Sequence, residues 1–359
     1  MNKKSKIGEL VEIAKGKKAN DVISSCGDGC HRYIQIGDLR ADLVLQYTLD
    51  KKGVEVEEND LCIAWDGANA GTIGYGLTGY IGSTIARLRP TKKETTHTPY
   101  LGRFLQSKFK ELNSAATGAT IPHISKNYLE NLILPLPSLS EQRRIAVILD
   151  KADALRRKRA ETLQLLDDFM RSVFLEMFGN PVKNEKGWKA LPMTQIFNIR
   201  TGKLDSNAAI EDGQYPFFTC SRENFEIDTY AFNCEALILS GNNAAGDYSV
   251  KYYKGKFNAY QRTYVLELKN PKNSYHFFKQ LLEYKLSEMK QGSRGTNTKY
   301  LTISFFERLD LFVPPLDIQV QFEKISTATY THMKRSNHAQ KEMNIFFDSL
   351  AQRAFRREL

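Results

Sequence analysis

Hydrophobic residues follow two rhythms along this chain of 359 residues. Through most of it they come in short runs broken by Gly, Asn and Asp, the pattern of strands and turns. From Leu139 to Gly179 the rhythm changes. Ile145, Ile148, Ala152, Leu155, Thr162, Leu166, Phe169, Val173 and Met177 recur at spacings of three, four or seven. This predicts one long helix with a narrow apolar seam, as in a two-helix coiled coil. Pro135 and Pro137 prevent an earlier start, and Gly179-Asn180-Pro181 ends it. At roughly 1.5 Å per residue, the stretch 145–177 spans about 48 Å. Its outer face is polar, so the seam requires a partner helix.

Residues 1–138 predict an α+β domain, with strands near 32–36, 61–65 and 83–88 and a helix near 100–110. A polar linker at 179–189 leads into a second mixture, with strands near 236–240 and 260–268 and a helix near 275–289. The helical rhythm returns from Leu316. Sliding the sequence by 177 places Glu130 on Glu307, Leu134 on Leu311, Pro137 on Pro314, Gln142 on Gln319, Phe169 on Phe346 and Phe178 on Phe355, without a gap. The shifted seam reads Phe322, Ile325, Thr329, His332, Ala339, Met343, Phe346, Leu350 and Ala354. Residues 7–17 match 193–203, and residues 64–71 resemble 239–246. The chain therefore predicts a tandem duplication: a globular domain at 1–138, a long helix at 139–179, a linker and second globular domain at 180–314, and a second long helix at 315–359. Packed as an antiparallel coiled coil, the two helices supply each other's partner and relate the halves by a pseudo-twofold axis.

Charge narrows the class of partner. The net charge is +10 and the pI about 9.2, which favours an anion, nucleic acid first. The excess is +3 over 1–140, +1 over 141–178, +4 over 179–315 and +2 over 316–359, so it lies mostly on the globular parts. No apolar run has membrane-spanning length, and Met1-Asn2-Lys3-Lys4 does not open a signal peptide. Five cysteines without a secretion signal suggest reduced thiols in a cytoplasmic protein.

Residues 134–181, LPLPSLSEQRRIAVILDKADALRRKRAETLQLLDDFMRSVFLEMFGNP, resemble the central conserved region of the specificity subunits of type I restriction–modification enzymes. Residues 313–325, VPPLDIQVQFEKI, are similar to its distal copy, with Ile318 where the family's Pro-x-x-x-Glu-Gln pattern has Glu. Residues 33–39 (YIQIGDL) and 215–219 (YPFFT) resemble the early strand motif of each half. The resemblance covers essentially the whole chain. It implies a non-catalytic DNA-recognition subunit whose two target-recognition domains each read half of a split, asymmetric site. It further implies two methyltransferase subunits held on the helices, restriction/translocase subunits joining through them, and S-adenosylmethionine and Mg-ATP bound by those partners, with no cofactor or metal on this chain. A spacer of about 48 Å exceeds one DNA turn of about 34 Å, which fits two half-sites with an unread gap.

For base reading, Arg suits guanine and Asn suits adenine, while Lys suits phosphate. The candidates are Arg32, Trp65, Asn69, Lys92 and Lys93 in the first domain. In the second they are Arg222, Asn242, Asn243, Lys251, Lys254, Lys256, Arg294 and Lys299. The plain alternatives are solvated surface and turn capping, the latter for Asn242-Asn243. The aromatic run from Tyr248 to Tyr260 reads as strand core. Cys26, Cys30 and His31 lack a fourth zinc ligand nearby and read as reduced structural thiols. Glu267 and Lys269, following Asp247, loosely resemble a nuclease set. Gly16-Lys17 and Gly202-Lys203 recur as turns. No GxxxxGK[ST] loop or Asn/Asp-Pro-Pro-aromatic motif is present. A scaffold whose coil recruits proteins and whose globular domains bind something other than DNA is the alternative function.

Overall fold

The apolar run Leu61–Ala64 and its counterpart in the second half become central strands, covered on both faces. The computed structural model describes residues 3–40, 44–117, 121–356 and 358, and it divides into two compact units. One comprises residues 1–160 with 338–359, the other residues 161–337. Each unit thus holds one globular part, half of one long helix and half of the other.

In the first unit the strands are β1 (Lys4–Lys6), β2 (Val11–Lys15), β3 (His31–Ile34), β4 (Tyr47–Thr48), β5 (Val54–Val56), β6 (Leu61–Ala64), β7 (Ile73–Tyr75), β8 (Gly79–Ile81) and β9 (Ile85–Pro90). Helices α1 (Thr98–Ser107), α2 (Phe109–Ser114) and α3 (Lys126–Asn131) and strand β10 (Ile133–Pro135) lead into α4 (Leu139–Phe178). The helix expected at 100–110 breaks at Lys108, whose backbone leaves the helical region. Two four-stranded sheets run in the orders β2-β9-β6-β7 and β4-β3-β8-β5, and β1 pairs with β10. The core joins Leu61, Ile63, Leu88, Tyr100, Leu101 and Phe104 to Ile145, Ala146 and Leu149 of α4.

The second unit contains β11 (Ala190–Pro192), α5 (Met193–Ile196), β12 (Phe197–Thr201), β13 (Tyr215–Phe218), β14 (Phe225–Ile227), β15 (Phe232–Ser240), β16 (Asn242–Asn243), β17 (Val250–Ala259) and β18 (Thr263–Leu268). After these come α6 (Tyr275–Gly292), β19 (Lys299–Tyr300), α7 (Ile303–Phe306), β20 (Asp310–Phe312) and α8 (Leu316–Arg356). Its main sheet has the order β12-β18-β15-β17-β13-β14. The same wiring underlies both halves: β3 pairs parallel with β8 and β13 parallel with β17, and β1–β10 is repeated as β11–β20. What is one strand of ten residues in the second half, β17, is two strands, β7 and β8, in the first. The break falls at Gly76 and Gly79, both at positive φ.

The first long helix ends as the sequence indicates. Gly179 adopts φ +79° and its N–H donates to the Leu175 carbonyl at 2.8 Å, while Lys186 and Trp188 donate to the last carbonyls of α4. In the first unit the start of α4 packs against the end of α8, with Ala351 and Ala354 buried beside Ile145 and Leu149. In the second the end of α4 packs against the start of α8, where Phe322 meets Phe174 and Phe178 at ring distances of 5.5 and 5.4 Å. The pairing is antiparallel in both.

The seam differs in phase from the expected stripe. Ile145 and Phe322 are buried, and Ile148, Leu166, Val173, Ile325, Met343 and Leu350 are half-buried. Leu155, Phe169 and Phe346 are 58%, 49% and 56% exposed. The deepest row on α4 runs through Leu149 and Asp153 and later Met170, Phe174 and Phe178, one residue on from the expected positions. Within each unit the helices face the globular part as well as each other, as Phe174 shows by contacting Phe277 and Tyr284 of α6. That extra neighbour turns the buried face by about 100°, one residue.

Two polar anchors hold each globular part to its long helix. Gln142, fully buried, accepts from the His97 N–H at 2.9 Å and donates to the carbonyls of Thr95 and Pro137 at 2.8 and 3.0 Å. Gln319, also fully buried, accepts from the Ser274 N–H at 3.0 Å and donates to the Asn273 Oδ1 and the Pro314 carbonyl at 3.3 and 2.8 Å. With Ile318 in place of Glu, the distal helix still makes this connection. Eleven residues on, Asp153 receives Arg103 of α1 at 3.0 Å and both Arg156 and Arg157 at 2.6 Å. The matching position, Tyr330, receives Lys279 of α6 at 3.1 Å.

Candidate nucleic-acid interface

Loops between central strands carry the polar groups that a fold of this kind can present. In the second unit, residues 241–249 join β15 to β17. Gly241 is required there because a Cβ would lie 2.3 Å from the Arg262 carbonyl, to which the Gly241 N–H donates. The turn closes on Asn243, whose Oδ1 accepts from the N–H groups of Ala245 and Asp247 at 2.8 and 3.3 Å. β16 pairs with β19, which sets Asn242 opposite Tyr300 and Asn243 opposite Lys299. Arg294 and Tyr300 exchange both backbone hydrogen bonds at 2.9 Å, closing a hairpin around Gly295 at φ +94°. Arg222 reaches the same turn and pairs with Asp247 at 2.7 Å. Its loop is fastened from below by Lys251, whose ammonium donates to the Ser221 and Glu223 carbonyls and to Asn224 at 2.8–3.0 Å. Burial holds that ammonium below the usual lysine range.

Arg222, Asn242, Asn243, Arg294 and Lys299 therefore converge at one end of the sheet. Lys251 supports them from within and is not on the surface they form. Lys254 and Lys256 lie farther along β17, about 13 and 20 Å from Val250 at roughly 3.3 Å per residue. There Lys254 pairs with Glu235 at 2.9 Å and Lys256 sits over the Tyr230 ring at 4.7 Å. Arg262, exposed beside Gly241, belongs to the cluster and was not among the sequence candidates.

The first unit builds a related end with different chemistry. Residues 65–72 join β6 to β7, and Thr117 pairs with His123 through backbone bonds of 2.9 and 2.7 Å. These two residues occupy the positions of Arg294 and Tyr300 in the 177-residue repeat. Asp66 ties turn to hairpin by accepting from His123 Nδ1 at 2.6 Å and from Lys15 at 2.9 Å. Burial alone would raise the Asp66 carboxyl, but His123 and Lys15 outweigh it and hold it below the usual range. Asn69 is exposed and accepts from Arg40 at 2.7 Å. Trp65 is half-buried against the core, so it positions the turn. Arg32 is half-buried and pairs with Asp38 at 3.3 Å. Lys92 and Lys93 are exposed beyond the far end of β9, away from the Trp65 turn. Of the first-domain candidates only Trp65 and Asn69 meet. Arg40, Asp66 and His123 were missed, although the repeat marks the hairpin.

The remaining motifs resolve into structural roles. Glu267 pairs with Arg200 across β12 and β18, Lys269 donates to the Thr194 carbonyl, and Asp247 lies in the loop at the other end, so no nuclease set assembles. Cβ atoms at Gly16 and Gly202 would lie 2.3 and 1.7 Å from backbone carbonyls of the neighbouring segment, so each repeated Gly-Lys is a close-approach point, with its lysine exposed. Cys26 and Cys30, expected as reduced thiols, are instead joined in a disulfide with Cα atoms 5.7 Å apart. The loop between them, Gly27-Asp28-Gly29, turns at Gly29 with φ +76° and brings the two sulfurs together.

The family described as the type I restriction modification DNA specificity domain matches residues 2–165 and 185–341. The chain is 38% identical over 141 residues to the type I restriction enzyme EcoDI specificity subunit of Escherichia coli, covering 39% of this chain and 31% of the relative. It is 30% identical over 211 residues to the MjaVIII specificity subunit of Methanocaldococcus jannaschii, covering 55% of this chain and 49% of the relative. The matches thus span about a third to a half of these relatives' length. In fold it is similar to the crystal structure of a type I restriction–modification S subunit from M. genitalium, with TM-score 0.68 and 17% identity over 98% of this chain and 96% of that one.

Proposed function

Since the chain belongs to the family of type I restriction–modification DNA specificity domains, we propose that it is the non-catalytic subunit that reads a bipartite, asymmetric DNA site. The observation that carries this reading is the pair of loop clusters, built at equivalent places on a duplicated scaffold from unlike residues. One offers Asn69, Arg40 and His123, the other Arg222, Asn242, Arg294, Lys299 and Arg262. Equivalent placement gives two readers, and different side chains give two different half-sites. The recognition domains are residues 1–138 and 180–314, and the helices at 139–179 and 315–359 set the gap. Its partners are double-stranded DNA, two methyltransferase subunits and restriction/translocase subunits, which carry S-adenosylmethionine and Mg-ATP. The complex works in the cytoplasm. Among the described residues no helix is long and apolar enough to cross a membrane.

Selection of bound duplexes from a random pool tests the reading: a split motif supports it, and recovery of no motif opposes it. On the selected site, Arg294→Ala is expected to cost about 1–3 kcal/mol and to relax preference at one base position. Lys299→Ala is expected to weaken all sequences alike and to reduce the salt slope by about one ion. Equal loss on every sequence for both variants would place Arg294 on phosphate.

A further inference from the structure

The two anchors on each long helix are the same distance apart in both halves. Gln142 and Asp153 are eleven residues apart, as are Gln319 and Tyr330. Eleven residues are about three helical turns and about 16 Å, so both anchors of a pair lie on one face of the helix. The apolar core that each domain shares with its helix is non-directional, whereas hydrogen bonds at two points on one face fix the tilt of the domain and its position along the axis. The first anchor is chemically the same in both halves. Its amide bonds both a donor and an acceptor in the segment entering α1 or α6, together with the proline carbonyl five residues upstream. The second is different: a carboxylate among three arginines in one half, a phenol with a lysine in the other.

From this geometry we infer that Gln142 and Gln319 are positioning residues for half-site spacing. Each locks the tilt of its recognition domain on the spacer and touches no base. The inference rests on the proposed reading of a split site. A loop one strand-length away, about 20 Å, moves by one base-pair step of about 3.4 Å when the domain tilts by roughly 10°. Loss of the glutamine leaves the second anchor as the remaining directional tie within the shared apolar core, and the protein then accepts neighbouring gap lengths while reading the same bases. Loss of a merely stabilising residue would lower affinity at every gap alike.

The test uses the full chain and duplexes that carry both half-sites at a series of gap lengths. Gln142→Met and Gln319→Met keep volume and remove the amide. Wild type is expected to prefer one gap. Each variant is expected to lose about tenfold of its discrimination against gaps one base pair longer or shorter, with the half-site sequences unchanged. If a variant folds and keeps the wild-type gap preference, at whatever melting temperature, the inference falls and the split-site reading stands. If wild type itself selects no split site, both fall. Should Gln142→Met fail to fold, Gln319→Met carries the same test in the other half, and failure of both to fold assigns the pair to stability alone and overturns the inference.

Discussion

Asp153→Ala is expected to destabilise the first unit by about 3 kcal/mol, because removing one partner of a buried ion network leaves the other charge uncompensated. The Asp153 side chain is 2% exposed and that of Arg103 is 7% exposed. Arg103 keeps Asp150 at 2.7 Å, which places the loss at the lower end for such sites. For a unit of this size the loss corresponds to roughly 10 °C in melting temperature. The effect depends on pH in a defined direction. Burial would raise the Asp153 carboxyl, but Arg103, Arg156 and Arg157 outweigh it and hold it below the usual carboxylate range. A depressed folded value means that the stabilisation is complete above the unfolded value of about 3.9 and is lost as pH falls through the folded one. Wild type and Asp153→Ala should therefore differ by a constant amount from neutrality down to about pH 4 and converge below it. Denaturation curves at several pH values measure this, and a difference below about 0.5 kcal/mol at pH 7 would mean that the arginines are satisfied by water.

Replacing residues 190–312 with the corresponding domain of another specificity subunit is expected to change one half-site completely and leave the other unchanged. The second unit's proposed reading cluster lies wholly within that segment: Arg222, Asn242, Arg262, Arg294 and Lys299. The first unit's cluster lies wholly outside it. The graft must retain the segment that Gln319 grips, the residues at 273 and 274, since its amide bonds backbone and side chain there. Sequencing the sites bound or methylated by the chimera reports the outcome. A change in both half-sites would show that the two readers are not independent.

How far the sequence led depended on the length of the signal. The long helices, their proline and glycine boundaries and the duplication were legible because each rests on dozens of residues. The phase of the seam was not. Periodicity locates an apolar stripe, but Phe174 is drawn inward by Phe277 and Tyr284, residues about a hundred positions away that no helical pattern contains. Residue type marks a candidate base reader but does not reveal which other groups hold its side chain. Lys251 spends its ammonium on a loop and Arg32 is paired with Asp38. Asp66 and His123, 57 residues apart in sequence, meet only because the turn and hairpin fold onto each other. The Gln142–Gln319 correspondence was visible as two aligned letters, and its meaning needed the hydrogen bonds.

The central claim is that two unlike readers on one spacer specify a split DNA site. Co-production of the chain with the proposed methyltransferase partner, followed by genome-wide mapping of methylated adenines, tests it most directly. The account predicts methylation within one motif of two different half-sites separated by a gap of fixed length. Methylation at a continuous motif, at identical inverted half-sites, or without any common sequence would contradict it.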